Sequence, residues 1–206
     1  MKLTQLAFAA LLSVSSLLGP TPSVAAQPTQ RIVLAGGCFW GMQAVFERLN
    51  GVVNTTVGYA GGSAATANYE AVSSDGTRHA EVVAIDYNPH VISTTQLLHV
   101  FFLVAHDPTQ VRHEGPDYGP QYRSEIFYTT AAQQHIAQAV IAAMSRAHTF
   151  SAPISTKIAH LTAFYRAEAY HQHYADKHPD DGYIVYNDDP KIKALQATFP
   201  GLIRKH

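Results

Sequence analysis

Residues 80–87 limit the possible folds more than any other stretch, because apolar side chains occupy both alternating faces of this run. A strand with this pattern is covered by packing on both sides, so it belongs in the interior of a sheet. Asn88 and Pro89 then end the run and turn the chain. The sequence therefore predicts a sheet with a buried central strand, against which the other elements pack.

Strand and helix patterns are mixed irregularly on both sides of this strand. Further strands are predicted at 31–34, 52–60, 122–128 and 154–161. Helices are predicted at 39–49, after the capping box at 93–96, after a second capping box at 130–133, at 168–177 and through 192–199. The pattern shows no repeat and no interior linker. We expect one α+β domain, a two-layer α/β sandwich whose mixed central sheet is flanked by helices and long loops.

The first 26 residues have the composition of a secretory signal peptide. Lys2 precedes an apolar stretch that is too short to span a membrane permanently, and small residues lead to two possible cleavage positions, after Ala25 or after Ala26. We expect the mature chain, residues 27–206, to be secreted or periplasmic, with no membrane attachment once the signal is removed. A chain of about 180 residues can bury a substantial core.

The charge balance excludes some classes of partner. The formal net charge is −1, and the Lys and Arg residues are scattered singly along the chain. Nucleic acids and anionic membrane surfaces require clustered positive charge, so we expect neither as a partner.

The chain contains one cysteine, Cys38, which follows Gly36 and Gly37 at the start of a predicted helix. A thiol at a helix N-terminus faces unpaired backbone N–H groups and the positive end of the peptide dipoles, which favour the thiolate and lower its pKa. The glycines allow a sharp turn and leave space above the sulfur. A lone cysteine can also be a small buried hydrophobic residue. Because of the glycines and the adjacent Phe39 and Trp40, we interpret Cys38 as a reactive nucleophile.

Glu81 places a carboxyl group on an otherwise apolar face of the predicted central strand, with Val83 and Ile85 as neighbours on that face. Burial without a cationic partner disfavours the charged form, so such a group stays protonated near neutral pH and can act as an acid. The alternative is a solvent-facing glutamate at the strand end. Tyr69 and Tyr122 lie in loop segments, where phenol hydroxyls can polarise a neutral oxygen acceptor.

Six sequence blocks occur in the order that is typical of one enzyme family. They are GGCFWG (36–41), GYAGG (58–62), YEAV (69–72), HAEVV (79–83), FF followed by HDPTQ (101–110) and QYRS (121–124). In these blocks the chain resembles peptide methionine sulfoxide reductase of the A type, from about residue 32 to residue 174. The resemblance implies an oxidoreductase that reduces the S epimer of methionine sulfoxide, free or protein-bound, to methionine, and that uses neither a metal nor an organic cofactor.

The resemblance also implies roles for five polar residues. Cys38 is similar to the nucleophile that attacks the sulfoxide sulfur and becomes a sulfenic acid. Glu81 is similar to the acid that protonates the sulfoxide oxygen. Tyr69 and Tyr122 resemble the phenols that hold this oxygen, and Asp117 matches a carboxylate of the same polar site.

Phe39 and Trp40 resemble the aromatic wall that receives the S-methyl group of the substrate. The chain departs from many relatives near its C-terminus, where they carry further cysteines after a Gly-Tyr pair and this sequence has Gly182, Tyr183 and Ile184. An external thiol must therefore regenerate the nucleophile. We expect a thioredoxin-fold electron donor as the partner and a monomeric enzyme.

Three other functions remain open from the residues alone. The histidine-rich segment could bind zinc or copper in an exported carrier, although His171 and His173 do not share a helix face. A hydrolase with Cys38 activated by a histidine is the second. Hydrolysis leaves the sulfur unoxidised, whereas sulfoxide reduction produces a sulfenic acid that a dimedone-type probe traps. The third is a binding module, which would not need both a thiol and a buried acid.

Overall fold

A computed structural model describes residues 29–205, and within them it contains eight strands and six α-helices. The strands are β1 Gln30–Ala35, β2 Val52–Ala60, β3 Ala80–Tyr87, β4 His113–Glu114, β5 Asp117–Tyr118, β6 Glu125–Tyr128, β7 Lys157–His160 and β8 Phe164–Arg166. The helices are α1 Phe39–Glu47, α2 Tyr69–Ser73, α3 Thr94–Val100, α4 Ala131–Arg146, α5 Tyr174–Lys177 and α6 Asp189–Thr198. The predicted signal peptide lies outside the described residues.

Six strands form one mixed sheet in the order β7-β6-β1-β3-β2-β8. Neighbouring strands are antiparallel except for the parallel pair of β6 and β7. Strand β3 lies in the interior of this sheet, and all of its residues except Asp86 are buried. The prediction of a buried central strand in a mixed sheet of one α+β domain is confirmed. The remaining strands, β4 and β5, pair as a small hairpin between α3 and β6.

Alternate residues of β1 and β3 supply two cores, one on each face of the sheet. Val83 and Ile85 of β3 belong to the larger core, which includes Phe46 of α1 and Leu98 of α3. Their sequence neighbours, such as Val82, face the smaller core on the other side. Full burial of one such side chain contributes about 1.5–3 kcal/mol to folding, so both faces stabilise the strand. Glu81 is on the same face of β3 as Val83 and Ile85, and it lies at the start of α1.

The two predicted capping boxes have different outcomes. At the start of α3 the box is complete, because Ser93 Oγ accepts from the backbone N–H of Gln96 at 3.2 Å and Gln96 Oε1 accepts from the N–H of Ser93 at 2.9 Å. At α4 the Thr130 hydroxyl accepts from the N–H of Gln133 at 3.2 Å, but Gln133 Oε1 accepts from the N–H of Thr129 at 2.8 Å. The second box is therefore only half formed, although the helix begins where expected.

The single histidine-rich helix predicted near the C-terminus is wrong. The segment is a 3₁₀ turn at Ala169–His171 followed by the short helix Tyr174–Lys177, and His173 between them has a φ of +54°. The side chain of Gln172 accepts from the N–H of Val57 at 3.1 Å and donates to the carbonyl of Val57 at 3.0 Å. This pairing with the edge of β2 overrides the local helical preference.

Two predicted strands are shorter than expected. A 3₁₀ turn at Pro120–Tyr122 precedes β6, so Tyr122 lies outside the strand. Strand β7 has only four residues, and each of them pairs with a residue of Glu125–Tyr128 on β6. The length of β6 therefore limits the ladder that β7 can form.

None of the helices in residues 29–205 is long and apolar enough to cross a membrane.

Gly58 lies where β8 approaches β2 closely. A Cβ atom at this position would clash with the backbone carbonyl of Tyr165 and lie 2.7 Å from the ring of Phe164. We expect Gly58→Ala to lower the free energy of unfolding by about 1–3 kcal/mol, the usual cost of overpacking. Urea denaturation measures the change. Gly201→Ala is the control, because nothing lies within 4 Å of the added atom there; similar stability of the two variants would contradict this account.

Candidate active site

A cavity of about 180 Å³ opens at the start of α1. It is lined by Cys38, Phe39, Trp40, Tyr69, Glu81, Asp117, Tyr122 and Tyr183. All seven residues that the sequence singled out are thus brought together at one cavity. They come from the start of α1, from α2, from β3, from the β4–β5 hairpin and from the turn before β6.

Cys38 is the N-cap residue of α1 and forms part of the cavity wall, with 8% of its surface exposed. Gly37 precedes it with a φ of +87°, a conformation that favours glycine. A side chain at Gly37 would also clash with Glu114. The glycine turn therefore aims the thiol into the cavity from the end of the helix.

The prediction that the Cys38 thiol has a lowered pKa is wrong. Burial and the nearby carboxyl groups of Glu81, Asp188 and Asp117 raise the pKa of Cys38 well above its usual range, and a hydrogen bond from the Trp40 backbone opposes them only in part. The effect of the helix terminus is outweighed first by burial and then by the charges of three acidic groups from other segments. The resting residue is a thiol.

Glu81 lines the same cavity as the thiol and is 2% exposed. Its Oε2 accepts a hydrogen bond of 3.0 Å from the backbone N–H of Phe39, the residue that follows Cys38. Burial raises the pKa of Glu81 to about 8, although this hydrogen bond lowers it and the charge of Asp117 raises it further. The carboxyl group is therefore mostly neutral at pH 7, as the sequence predicts, and it can donate a proton.

The remaining polar wall consists of phenols and one further carboxyl group. Burial raises the pKa of Tyr69, Tyr122 and Tyr183, so all three hydroxyls stay protonated and can donate hydrogen bonds. The hydroxyl of Tyr183 donates to Asp117. Burial raises the pKa of Asp117, and this hydrogen bond opposes the rise. The pairing leaves Tyr69 and Tyr122 as the phenols available to a ligand oxygen.

The apolar wall is made of aromatic rings that hold one another in place. Phe39 is buried, and Trp40 stacks on Tyr174 with ring centroids 3.7 Å apart and planes at 10°. Tyr183 meets Trp40 edge-on at 5.8 Å. His171 accepts a hydrogen bond of 3.0 Å from Trp40 Nε1. Such a wall suits a small apolar group rather than a charged one.

Sequence reasoning missed Tyr183, Asp188 and Lys191. Asp188 is 1% exposed, lies 3.6 Å from the Lys191 ammonium, and packs against Gly41, where any Cβ would clash with its carboxyl group. Burial raises the pKa of Asp188 to about 6. The sequence signal that could have pointed to Asp188 is Gly41, because a glycine inside a helix often marks a place where another group packs closely.

Neither the metal-binding nor the hydrolase alternative gains support. Residues 29–205 contain no group of three or more His, Cys, Asp or Glu side chains that could hold a metal ion. Nδ1 of His171 is occupied by Trp40, and Nδ1 of His173 lies 2.8 Å from Glu47 Oε2. No histidine is among the eight residues that line the cavity, so the thiol has no imidazole base beside it there.

A thiol and a neutral carboxyl group that share a cavity can serve as a nucleophile and an acid. Comparison with known proteins defines the class. Residues 30–201 match the family model described as peptide methionine sulfoxide reductase, and the chain belongs to this family. It is 45% identical over 177 residues to peptide methionine sulfoxide reductase MsrA 2 of Synechocystis sp., covering 86% of this chain and 83% of the relative. Identity to MsrA 2 of Mesorhizobium japonicum is 46% over 178 residues, covering 86% and 91%.

Solved structures show the same fold. The reduced form of Mxr1 from Saccharomyces cerevisiae has a TM-score of 0.69 at 35% identity, covering 74% of this chain and 87% of that chain. Methionine sulfoxide reductase A of Corynebacterium diphtheriae has a TM-score of 0.65 at 31% identity, covering 78% and 83%. The family resemblance carried by the six sequence blocks, and with it the oxidoreductase class, is confirmed.

Proposed function

We propose that this protein reduces the S epimer of methionine sulfoxide, free or protein-bound, with Cys38 as the nucleophile and Glu81 as the acid. The observation that carries the proposal is that the thiol, the neutral carboxyl group, two phenols and two aromatic rings line one small cavity. Membership of the peptide methionine sulfoxide reductase family supports the substrate class.

The two walls account for a choice between epimers. A sulfoxide sulfur carries an oxygen, a methyl group, a side-chain carbon and a lone pair, so its configuration is fixed. The oxygen is held by Glu81, Tyr69 and Tyr122, and the methyl group packs on Phe39 and Trp40. With two substituents fixed on different walls, only one configuration leaves the chain of the substrate pointing outward and the lone-pair side open to the thiol. The family resemblance assigns this configuration as S.

Cys38 and Glu81 are both protonated in the resting site, and the first step relays these two protons without a net gain or loss. The sulfur of Cys38 bonds to the substrate sulfur while the Glu81 proton moves to the oxygen, and the thiol proton then restores the carboxyl group. The S–O bond of the substrate and the new S–S bond then break as the hydroxyl group moves to the sulfur of Cys38, which leaves a sulfenic acid on Cys38 and releases methionine. The substrate sulfur gains two electrons and the cysteine sulfur loses two, so thiol plus sulfoxide balances sulfenic acid plus sulfide.

Recycling requires electrons from outside the chain, because Cys38 is its only cysteine. A thiol of the donor attacks the sulfenic sulfur, water leaves, and a second thiol resolves the mixed disulfide. We propose a thioredoxin-fold dithiol protein as this donor, with no resident metal or organic cofactor. The composition of residues 1–26 supports export to the periplasm or beyond. N-terminal sequencing of the mature protein tests export, and a start at Met1 would contradict it.

A stereospecific assay tests the proposed activity. The purified protein is incubated with each epimer of methionine sulfoxide and a dithiol, and methionine formation is measured. We expect turnover of the S epimer only. Without the dithiol, no more than one equivalent of methionine per enzyme molecule should form. Turnover of neither epimer would overturn the proposal, and preference for the R epimer would overturn the assignment of the two walls.

We expect Trp40→Ala to raise KM for free methionine sulfoxide about 10- to 100-fold, because loss of apolar contact in a pocket is worth about 1–3 kcal/mol. Since the thiol and the acid are untouched, kcat should fall less than KM rises. Steady-state kinetics measures both constants. Tyr186→Ala is the matched control, because Tyr186 is 82% exposed and lies outside the cavity lining. An unaltered KM in Trp40→Ala would show that the Trp40 ring does not contribute to substrate binding.

A further inference from the structure

The histidine-rich segment after β8 carries a contact that the reaction as described does not use. Trp40 Nε1 donates its 3.0 Å hydrogen bond to Nδ1 of His171, which is 1% exposed and lies behind the cavity wall. An indole N–H can only donate, so Nδ1 of His171 accepts and the ring proton is on Nε2. The side chain that shapes the apolar wall is therefore held by one tautomer of a buried imidazole.

The Nε2 side of this ring faces Glu168. Nε2 lies 4.0 Å from Glu168 Oε2 and has no hydrogen-bond partner among the described residues. Glu168 accepts hydrogen bonds of 2.9 Å from the Tyr59 hydroxyl and of 2.9 Å from the backbone N–H of Tyr69. A carboxylate opposite Nε2–H favours the tautomer that the indole requires. A line of indole, imidazole and carboxylate therefore connects Trp40 with Tyr69.

The imidazole also packs against both walls of the cavity. Its centroid lies 4.9 Å from the ring of Phe39 and 5.7 Å from that of Trp40 on the apolar side. On the polar side it lies 4.7 Å from the ring of Tyr69. Burial lowers the pKa of His171, while the charge of Glu168 raises it in part, so the ring stays neutral and Nδ1 keeps its lone pair at neutral pH.

We propose that His171 is a positioning residue, which fixes the Trp40 indole through Nδ1 and, together with Glu168, sets the spacing between Trp40 and Tyr69. His171 is not among the cavity-lining residues and acts on substrate binding through these neighbours. The kinetic part of this inference rests on the proposed function, whereas the orientation of Trp40 is a property of the resting protein.

Two variants separate the hydrogen bond from ring packing. His171→Phe keeps an aromatic ring and removes the acceptor, whereas His171→Asn keeps an acceptor at the place of Nδ1 and removes the ring. We expect the Phe variant to raise KM for free methionine sulfoxide roughly 2- to 10-fold, the effect of one net hydrogen bond, with kcat unchanged. The Asn variant should stay close to the wild-type KM.

Trp40 is the only tryptophan in the chain, so selective excitation of indole fluorescence reports its surroundings directly. We expect the Phe variant to shift the emission maximum and the Asn variant to keep that of the wild type. This measurement needs no turnover. If the wild type reduced neither epimer, the proposed function would fail, and the emission comparison would still decide whether His171 fixes Trp40.

Wild-type KM and emission in the Phe variant would overturn the inference. An Asn variant that loses as much as the Phe variant would also overturn it, because an acceptor at the place of Nδ1 would then not be enough to hold Trp40. Thermal melting shows whether each variant is folded. Should the Phe variant not fold, His171→Leu replaces it, since leucine also lacks an acceptor and carries the same expectation.

Discussion

Replacing Cys38 with serine is expected to abolish the reduction of methionine sulfoxide, with a loss of at least about 10⁴-fold, down to the background of the assay. A hydroxyl group cannot form the sulfenic acid that takes the substrate oxygen, and it is a far weaker nucleophile at neutral pH. The chain contains no second cysteine that could replace it. Methionine formation from the S epimer with excess dithiol measures the effect.

The serine variant should remain folded, because Cys38 faces the cavity and the exchange changes one atom. A thermal melt close to that of the wild type is the control. Labelling with a dimedone-type probe after addition of sulfoxide supplies a second measurement, and we expect an adduct on Cys38 in the wild type and none in the variant. Substantial turnover without Cys38, or the absence of an adduct in the active wild type, would remove the sulfenic acid from the mechanism.

Features encoded by local periodicity were predictable from the sequence. The apolar run of β3 placed that strand in the interior of the sheet, and the Ser93 capping box marked the start of α3. Cys38, Glu81, Tyr69 and Tyr122 were singled out by their placement in the sequence, and the family motifs added Asp117 and the aromatic wall of Phe39 and Trp40; all seven residues line one cavity. Their roles toward a sulfoxide come from the family resemblance, since a sequence pattern states which residue types are present but not which atoms meet.

Features that depend on distant segments were not predictable. The histidine-rich segment forms a 3₁₀ turn and a short helix because Gln172 pairs with the backbone of β2, a contact that no local pattern reveals. The acidity of Cys38 was misjudged for the same reason. Its position at a helix N-terminus is local information, whereas its burial, and next to that the charges of Glu81, Asp188 and Asp117, depend on other parts of the chain and outweigh it.

Glu81→Gln is the second large expected effect. Glutamine preserves the size of the side chain and can still accept the hydrogen bond from the Phe39 N–H, but it has no proton to give to the sulfoxide oxygen. We expect kcat to fall about 10²- to 10⁴-fold, the usual contribution of general acid catalysis. Binding of the oxygen by Tyr69 and Tyr122 remains, so KM should change much less. Unchanged kcat in the variant would show that Glu81 is not the acid.

The pH profile gives an independent test of the same group. The acid works only when protonated, and the pKa of Glu81 is about 8, so kcat/KM of the wild type should fall as the pH rises through about 8. Titration of Cys38 does not obscure this fall in kcat/KM, because the pKa of Cys38 is raised well above its usual range and it stays a thiol. In Glu81→Gln this fall should disappear. Glu114→Gln is the control, since burial raises the pKa of Glu114 to about 7 but Glu114 does not line the cavity. If the fall of kcat/KM near pH 8 survived in Glu81→Gln and were lost in Glu114→Gln, the proton donor would be Glu114 of the β4–β5 hairpin rather than Glu81.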